Sequence, residues 1–281
     1  MGINLEYITI LSSLSKRGLL PKSGKVLEFG AQDISAESKA VAEHIRRCGM
    51  HNPFLTIDSA QVLYKVFGLD NYTSIDASGV HGALVFDINS NLGTAYGFTE
   101  KFDLVTDLGT FEHCFDIANA FRNAHETCKA GGIIIHALPS NCNANHGYYV
   151  IQPRMIADIS ASNNYEIIEF AFTVDYRSTL YHIDLENYKT YDDRDIMFYV
   201  VLRKNSDTGF CLPFDSVFTE LNRLNNYKSL TIPLAFKTYI KGSWSNVLPK
   251  DHDKIPTVIK NTSPTYRKWI KHIIDRLGDW C

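Results

Sequence analysis

Between Lys25 and Pro139 the chain alternates short apolar, β-branched runs with segments of helical character, and this alternation constrains the fold more than any other feature. Lys25-Val-Leu-Glu-Phe-Gly30 reads as a buried strand ending in a tight turn. Ser35 to Cys48 has helical character, with Ser35 as a cap and Val41, Ile45 and Cys48 on one face, and Gly49 and Pro53 end it. Ser59 to Phe67 predicts a short helix stopped by Gly68. Tyr72 to Asp76, Ala83 to Asp87 and Phe102 to Thr106 predict the second, third and fourth strands. Ile117 to Cys128 predicts a helix closed by the Lys129-Ala-Gly-Gly132 turn. Ile133 to His136 predicts a fifth strand running into Leu138-Pro139. Strands alternating with helices imply a mostly parallel sheet with helices on both faces.

Farther on, Glu166 to Phe172 and Ile196 to Arg203 are apolar and β-rich, and they predict an antiparallel pair at one sheet edge. The polar insert Asp175 to Asp195 lies between them. Beyond Lys204 the chain is irregular, with Pro213, Pro233, Pro249 and Pro256, and ends in an amphipathic helix around Tyr266 to Leu277. The apolar face of that helix (Trp269, Ile270, Ile273, Ile274, Leu277) suits docking on the main domain or on a second subunit better than a membrane surface. The expected organisation is one domain over residues 1–204, including an N-terminal helical segment, with residues 205–281 as an extension packed on it.

Bulk properties exclude several classes. The 281 residues, 45% hydrophobic and 21% charged, suit a soluble protein that buries a real core. A net charge of -3 gives no global argument for a nucleic-acid partner. The stretch Met1 to Leu20, with Glu6, Lys16 and Arg17, lacks the pattern of a signal peptide. No run reaches the roughly 18 apolar residues of a membrane span. Six scattered cysteines without a C-x-x-C pair suit reduced thiols, so the expected compartment is the cytoplasm.

The chemistry is carried by an ordered set of residues. In an open α/β sheet, ligands bind outside the carboxyl ends of the strands, where a glycine lets backbone approach a ligand. Gly30 stands at such a place, although one glycine after a strand is equally a plain turn. A carboxylate at the end of the next strand can accept both ribose hydroxyls of a nucleoside. Asp58 and Asp76 compete for that part. Asp58 lies closer to the usual spacing, and Asp76 is favoured because the Ser78-Gly79 turn and the strand ending at Asp87 follow it. Asp87 is then placed to meet an adenine amino group, or is a surface loop carboxylate. Phe102-Asp-Leu-Val-Thr-Asp-Leu-Gly-Thr-Phe-Glu-His113 follows, and then Lys129-Ala-Gly-Gly132.

Taken in order, these motifs resemble those of class I S-adenosylmethionine-dependent methyltransferases, over about Lys25 to Phe172. Asn145-His-Gly-Tyr-Tyr149, Gln152-Pro153 and Asn163-Asn-Tyr165 resemble one branch of that superfamily, many of whose members are uncharacterised or sit in natural-product and surface-glycan pathways. The resemblance implies a Rossmann-like seven-stranded sheet with an antiparallel last strand. It implies S-adenosyl-L-methionine as cofactor, with S-adenosyl-L-homocysteine as product. By resemblance, Glu28, Gly30, Ala31 and Gln32 line the methionine and ribose side. Asp76 and Ala77 hold the ribose, Asp87 and Ile88 the adenine, and Asp107, Leu108 and Gly109 form the floor near the sulfonium. The first motif departs from G-x-G-x-G, reading Gly30-Ala-Gln-Asp-Ile34.

Methyl transfer requires a nucleophile aimed at the methyl group, and an alcohol nucleophile also needs a base, most often histidine. His146, in a loop beyond the fifth strand, is the first candidate base, or else a structural histidine bonding a loop carbonyl. His113 is the second candidate, or a helix-start residue, and His136 reads as packing. Tyr148, Tyr149 and Gln152 are candidates to wall the acceptor pocket. Tyr181, His182 and Tyr188 of the insert suit a polar acceptor but equally a solvated loop. A metal site from Asp107, His113, His136 and His146 finds no compact ligand spacing, so no metal is expected. The expected partner is a small-molecule acceptor, with no nucleic acid, no membrane and a homodimer left open. O-methylation of a sugar or secondary-metabolite intermediate leads the functional expectation. The alternatives are N-methylation of a peptide or amine, a NAD-dependent Rossmann oxidoreductase, and a catalytically silent methyltransferase-like binding protein.

Overall fold

The structure, a computed structural model, describes residues 2–175, 180–183 and 194–215. Its helices are α1 (Leu5–Lys16), α2 (Ser38–Arg47), α3 (Ala60–Val66), α4 (Leu92–Tyr96), α5 (Ile117–Thr127) and α6 (Pro153–Ser162). Its strands are β1 (Lys25–Phe29), β2 (Asn71–Ile75), β3 (Phe102–Leu108), β4 (Cys128–Asn141), β5 (Tyr165–Val174), β6 (Tyr181–His182) and β7 (Ile196–Lys204). They form one seven-stranded sheet in the order β2-β1-β3-β4-β7-β5-β6. The pairs β1/β2, β1/β3 and β3/β4 are parallel, whereas β7 runs antiparallel to both β4 and β5. The fold is thus a Rossmann-like α/β sheet whose antiparallel strands gather on one side. The apolar runs read as an edge pair are β5 and β7, with β7 inserted between β4 and β5.

Side-chain alternation along the strands divides the core between the two faces. Val26, Leu104, Ile133 and Ile135 pack with Tyr7, Ile8 and Leu11 of α1, Val41 and Ile45 of α2, and Leu63 and Tyr64 of α3. Leu27, Phe29, Val105 and Ile134 pack with Phe121 and Ala124 of α5 and Ile156 and Ile159 of α6. The helix starts are capped from the sequence: Asn4, Ser59 and Asp116 each accept a backbone N–H with the side chain.

The expected third strand, Ala83 to Asp87, is corrected to a single parallel bridge between Ile75 and Leu84. Phe86 N–H turns back at once onto the Leu84 carbonyl, at 2.9 Å. Its ring stacks on Tyr96 and meets Phe98 edge-on. Burying the ring there outweighs continuing a strand along the outermost edge of the sheet. The Lys129-to-Gly132 turn lies inside β4 as an excursion, since Phe102 pairs with Cys128 while Leu104 pairs with Ile133.

Beyond β7, Asn163 Nδ2 donates to the Cys211 carbonyl at 2.9 Å and the Arg122 guanidinium lies over the Phe210 ring. The predicted C-terminal helix around Tyr266 to Leu277 lies outside the described residues, as does most of the insert before β7. Among the described residues no helix is long and apolar enough to cross a membrane.

Candidate active site

The carboxyl ends of β2, β1, β3 and β4 are neighbours in the sheet, so the loops that follow them meet at one edge. Gly30, directly after β1, has φ +81°. A Cβ there would come within 2.3 Å of Thr110 Oγ1 and 2.7 Å of Gln32 Nε2. Glycine is therefore what lets this turn nest against the loop after β3. Thr110 fixes the contact: its hydroxyl donates to the Phe29 carbonyl at 2.9 Å and receives Gln32 Nε2 at 3.2 Å.

Asp76 follows β2 and reaches across to the same turn. Its Oδ2 accepts the Ala31 N–H at 3.0 Å, and Oδ1 accepts the Ser78 N–H and hydroxyl at 2.8 and 2.5 Å. Burial pushes this carboxyl up, but the Ser78 and Ala31 donors together outweigh it and hold it below the usual carboxylate range. Ala77 beside it is exposed. Asp58, the competing carboxylate, instead lines a cavity of about 430 Å³ beside β2, with Ser59, Tyr72 and His81.

Glu28 lies beneath the turn, not on its surface. Strand alternation sends it to the face of Val26, where it is wholly buried. There Oε1 accepts the Gln32 N–H and the Tyr72 hydroxyl, at 3.2 and 2.7 Å, and Oε2 accepts the Tyr64 hydroxyl at 2.9 Å. Burial raises the carboxyl to about 7 against those donors.

Asp107, Leu108 and Gly109 are buried as well, and they shape the loop after β3 from inside. Asp107 Oδ1 accepts the Thr110 and Phe111 N–H groups at 3.0 and 3.1 Å, and Oδ2 lies 3.0 Å from His136 Nδ1. The register sets Asp107 beside His136, whose ring packs against Phe111 and Phe121. Asp87 is exposed and accepts the Asn89 N–H and Nδ2, both at 2.9 Å. The neighbouring Ile88 is buried, its carbonyl receiving Asn119 and Asn123 Nδ2. Burial pushes the Cys114 thiol up to about 12, with Asp107, Asp87 and Glu112 adding to it.

The loops after β3 and β4 meet in a cluster. Glu112 is fully buried, and neither carboxylate oxygen has a hydrogen-bond partner. His146 Nε2 lies 3.5 Å and His113 Nε2 3.9 Å from Glu112 Oε1, and the imidazole centroids are 5.1 Å apart. Burial, then the Asp107 charge, pushes the Glu112 carboxyl up to about 8. Burial, then His146, lowers His113. The backbone ties the two loops together, because the Glu112 carbonyl accepts the Tyr148 and Tyr149 N–H groups at 2.8 and 3.2 Å. Gly147 permits this approach: a Cβ there would sit 2.8 Å from that carbonyl oxygen.

Next to the cluster, Tyr148 and Phe115 are 70% and 76% exposed and meet edge-on at 6.0 Å. Tyr149 donates its hydroxyl to the Phe115 carbonyl at 2.7 Å, and Gln152 is exposed at the start of α6. Tyr181 belongs to the sheet, its ring stacked on Phe172, whereas Tyr188 lies outside the described residues.

The quartet Asp107, His113, His136 and His146 is thus split. Asp107 and His136 pair inside the protein, and His113 and His146 gather outside on Glu112. Sequence reasoning noted the Glu112-His113 pair but gave no role to Glu112, Thr110 or Phe115. The legible signal for Glu112 was its place directly before His113 at a strand end. Its complete burial was not legible.

No family model matches the chain, and no curated protein matches it. Among solved structures it is similar to the N-methyltransferase NodS from Bradyrhizobium japonicum WM9 in complex with S-adenosyl-L-homocysteine, at 12% identity and TM-score 0.42, over 72% of this chain and 86% of that one. It is also similar to coclaurine N-methyltransferase, at 11% identity and TM-score 0.38, over 70% and 73%. For TehB from Haemophilus influenzae the values are 14% and 0.38, over 69% of this chain and 61% of TehB, so the chain spans under two thirds of TehB's length. At scores this low the likeness has no weight for chemistry, which rests on the chain's own geometry. The solved proteins to which this chain is similar include S-adenosylmethionine-dependent methyltransferases.

Proposed function

We propose that the chain is an S-adenosylmethionine-dependent methyltransferase acting on a small polar acceptor, with transfer to an oxygen atom of a sugar or secondary-metabolite intermediate. The observation that carries this reading is the hydrogen bond from the Gly30 turn to Asp76, one loop away from the Glu112, His113 and His146 cluster. A charged carboxylate at the end of the second strand, bonded to a glycine turn after the first, suits a ribose diol. The turn offers a second point of fit. Gln32 Oε1 is a buried acceptor with no hydrogen-bond partner, suited to a donor such as an ammonium group.

In this reading Gly30, Ala31 and Gln32 hold the methionine side, Asp76 and Ala77 the ribose, and Asp87 and Ile88 the adenine. Glu28 supports the turn from below, and Asp107, Leu108 and Gly109 shape the floor. The bound cofactor supplies a methyl group on a sulfonium. On the acceptor side, Tyr148 and Phe115 offer aromatic surface to a small molecule, with Tyr149 and Gln152 adjoining. His146 and His113 stand where an acceptor hydroxyl must be prepared to lose its proton.

One observation favours a second reading, a fold kept for binding alone. Gln32 stands where the usual motif has a glycine, and its side chain lies across the turn to Thr110. Calorimetric titration with S-adenosylhomocysteine and with NAD separates the readings. The expected outcome is binding of the former alone, weakened by about 1–3 kcal/mol in Asp76→Ala. A folded protein that binds NAD instead, or neither ligand, overturns the proposal.

A further inference from the structure

We infer that Glu112, His113 and His146 form a binding site for one divalent cation of the zinc class, at the acceptor end of the cleft. One ligand atom from each residue lies within 4.8 Å of the others. Two of the separations are 3.5 and 3.9 Å, both to Glu112 Oε1. A four-coordinate ion with bonds of about 2.0–2.1 Å spaces its ligands roughly 3.4 Å apart. Contractions of about 1.5 Å or less in the ligand separations therefore close the site.

Glu112 supplies the independent argument. A carboxylate taken wholly out of water needs a donor or a cation on its oxygens. Here Glu112 is 0% exposed and both oxygens lack a hydrogen-bond partner. His146 and His113 Nε2 lie 3.5 and 3.9 Å from Oε1 without a hydrogen bond to it. An ion between them gives the buried carboxylate its missing partner and engages both imidazoles at once.

The ligand types set the metal class. Two imidazoles and one carboxylate suit borderline first-row cations, whereas an all-oxygen set suits magnesium. The frame is held without the ion, since the Glu112 carbonyl anchors the β4 loop through Tyr148 and Tyr149. Cys142 in that loop adopts left-handed backbone, with φ 53°. Such strain in non-glycine residues persists only where the surroundings impose it. His113 and His146 are partly exposed, at 46% and 33% of their side chains, so an ion has an entry path and keeps open positions. Those positions adjoin the Tyr148 and Phe115 rings. An acceptor oxygen bound there would be held and acidified by the ion, with His113 and His146 acting as its ligands. That use rests on the methyl-transfer reading, but ion binding itself does not.

The test titrates the full chain, stripped with a chelator, with zinc and magnesium separately, and follows cobalt by visible absorption. The expected result is one tight equivalent of zinc and intense cobalt bands, with magnesium bound far more weakly. Glu112→Gln and His146→Ala should each weaken zinc binding on the order of ten-fold or more and remove the cobalt bands. His51→Ala, on an exposed residue away from the cluster, should leave both unchanged. No zinc binding, or binding that both cluster variants retain undiminished, overturns the site. His146 lies in an exposed loop, so its variant decides the matter even if Glu112→Gln fails to fold. S-adenosylhomocysteine titrated into the same samples keeps the two proposals apart. Loss of that binding alone sinks the methyltransferase reading and leaves the ion site standing.

Discussion

Glu28 shows what one residue's surroundings do to its chemistry. Its carboxyl would ionise near 4.5 in an unfolded chain and is raised to about 7 when folded, because burial outweighs the Tyr72, Tyr64 and Gln32 donors. A group raised on folding contributes stability that is fully present below its unfolded value and is lost as pH rises through the folded one. Unfolding free energy should therefore fall between about pH 4.5 and pH 7, by up to about 3 kcal/mol from this group. Glu169, raised to about 7 by burial with Arg17 opposing, adds to the same window. Urea denaturation at about pH 5 and pH 8 should show a smaller drop for Glu28→Gln than for the natural chain. Equal drops would mean that Glu28 is not the titrating group. That an acidic residue matters at this strand end was legible in the sequence. That it faces inward onto two tyrosine hydroxyls was not, because Tyr64 and Tyr72 reach it from a different helix and strand.

Elements differ in how far local pattern governs them. The strand before Gly30 and the helices α3 and α5 follow from apolar runs, capping residues and stop signals close in sequence. The run from Ala83 to Asp87 has strand composition, yet it contributes only the Ile75 and Leu84 bridge because its Phe86 finds aromatic partners. The Gly30 turn is the element on which the site hangs, through its backbone sign and its contact with Thr110. Gly30→Ala should destabilise the fold by about 1–3 kcal/mol from left-handed strain, with displacement of Thr110 or Gln32 adding to it. S-adenosylhomocysteine affinity should fall in parallel. Urea denaturation and calorimetry check this, and a variant unchanged in both would show that the turn is not held as described.

On the scale of the whole molecule, β7 is the connector. It lies between the parallel strands and β5, and its last residue, Lys204, is 1% exposed. The ammonium donates to the His125 and Cys128 carbonyls, both at 2.9 Å, and to Asp207 at 3.0 Å. It thereby joins the end of α5, the start of β4 and the segment after β7. The His125 ring meets the Thr208 carbonyl at 2.7 Å beside it. Lys204→Met keeps the buried stem and deletes the donors, leaving those carbonyls without their lysine partner. It should cost about 1–3 kcal/mol in urea denaturation and raise proteolytic susceptibility after residue 204. Stability equal to the natural chain would place the tether elsewhere.

By itself the sequence determined the alternating strands and helices, the glycine turn, Asp76 as the carboxylate to examine, and a group of histidines near one sheet edge. These are readable because strand period, capping and turn chemistry act over a few residues. Only the tertiary structure decided that β7 enters between β4 and β5, that His136 pairs inward with Asp107, and that His113 and His146 gather on a buried, unpartnered Glu112. Those outcomes depend on which strands become neighbours and on which face each side chain points. Contacts between residues far apart in the chain set both.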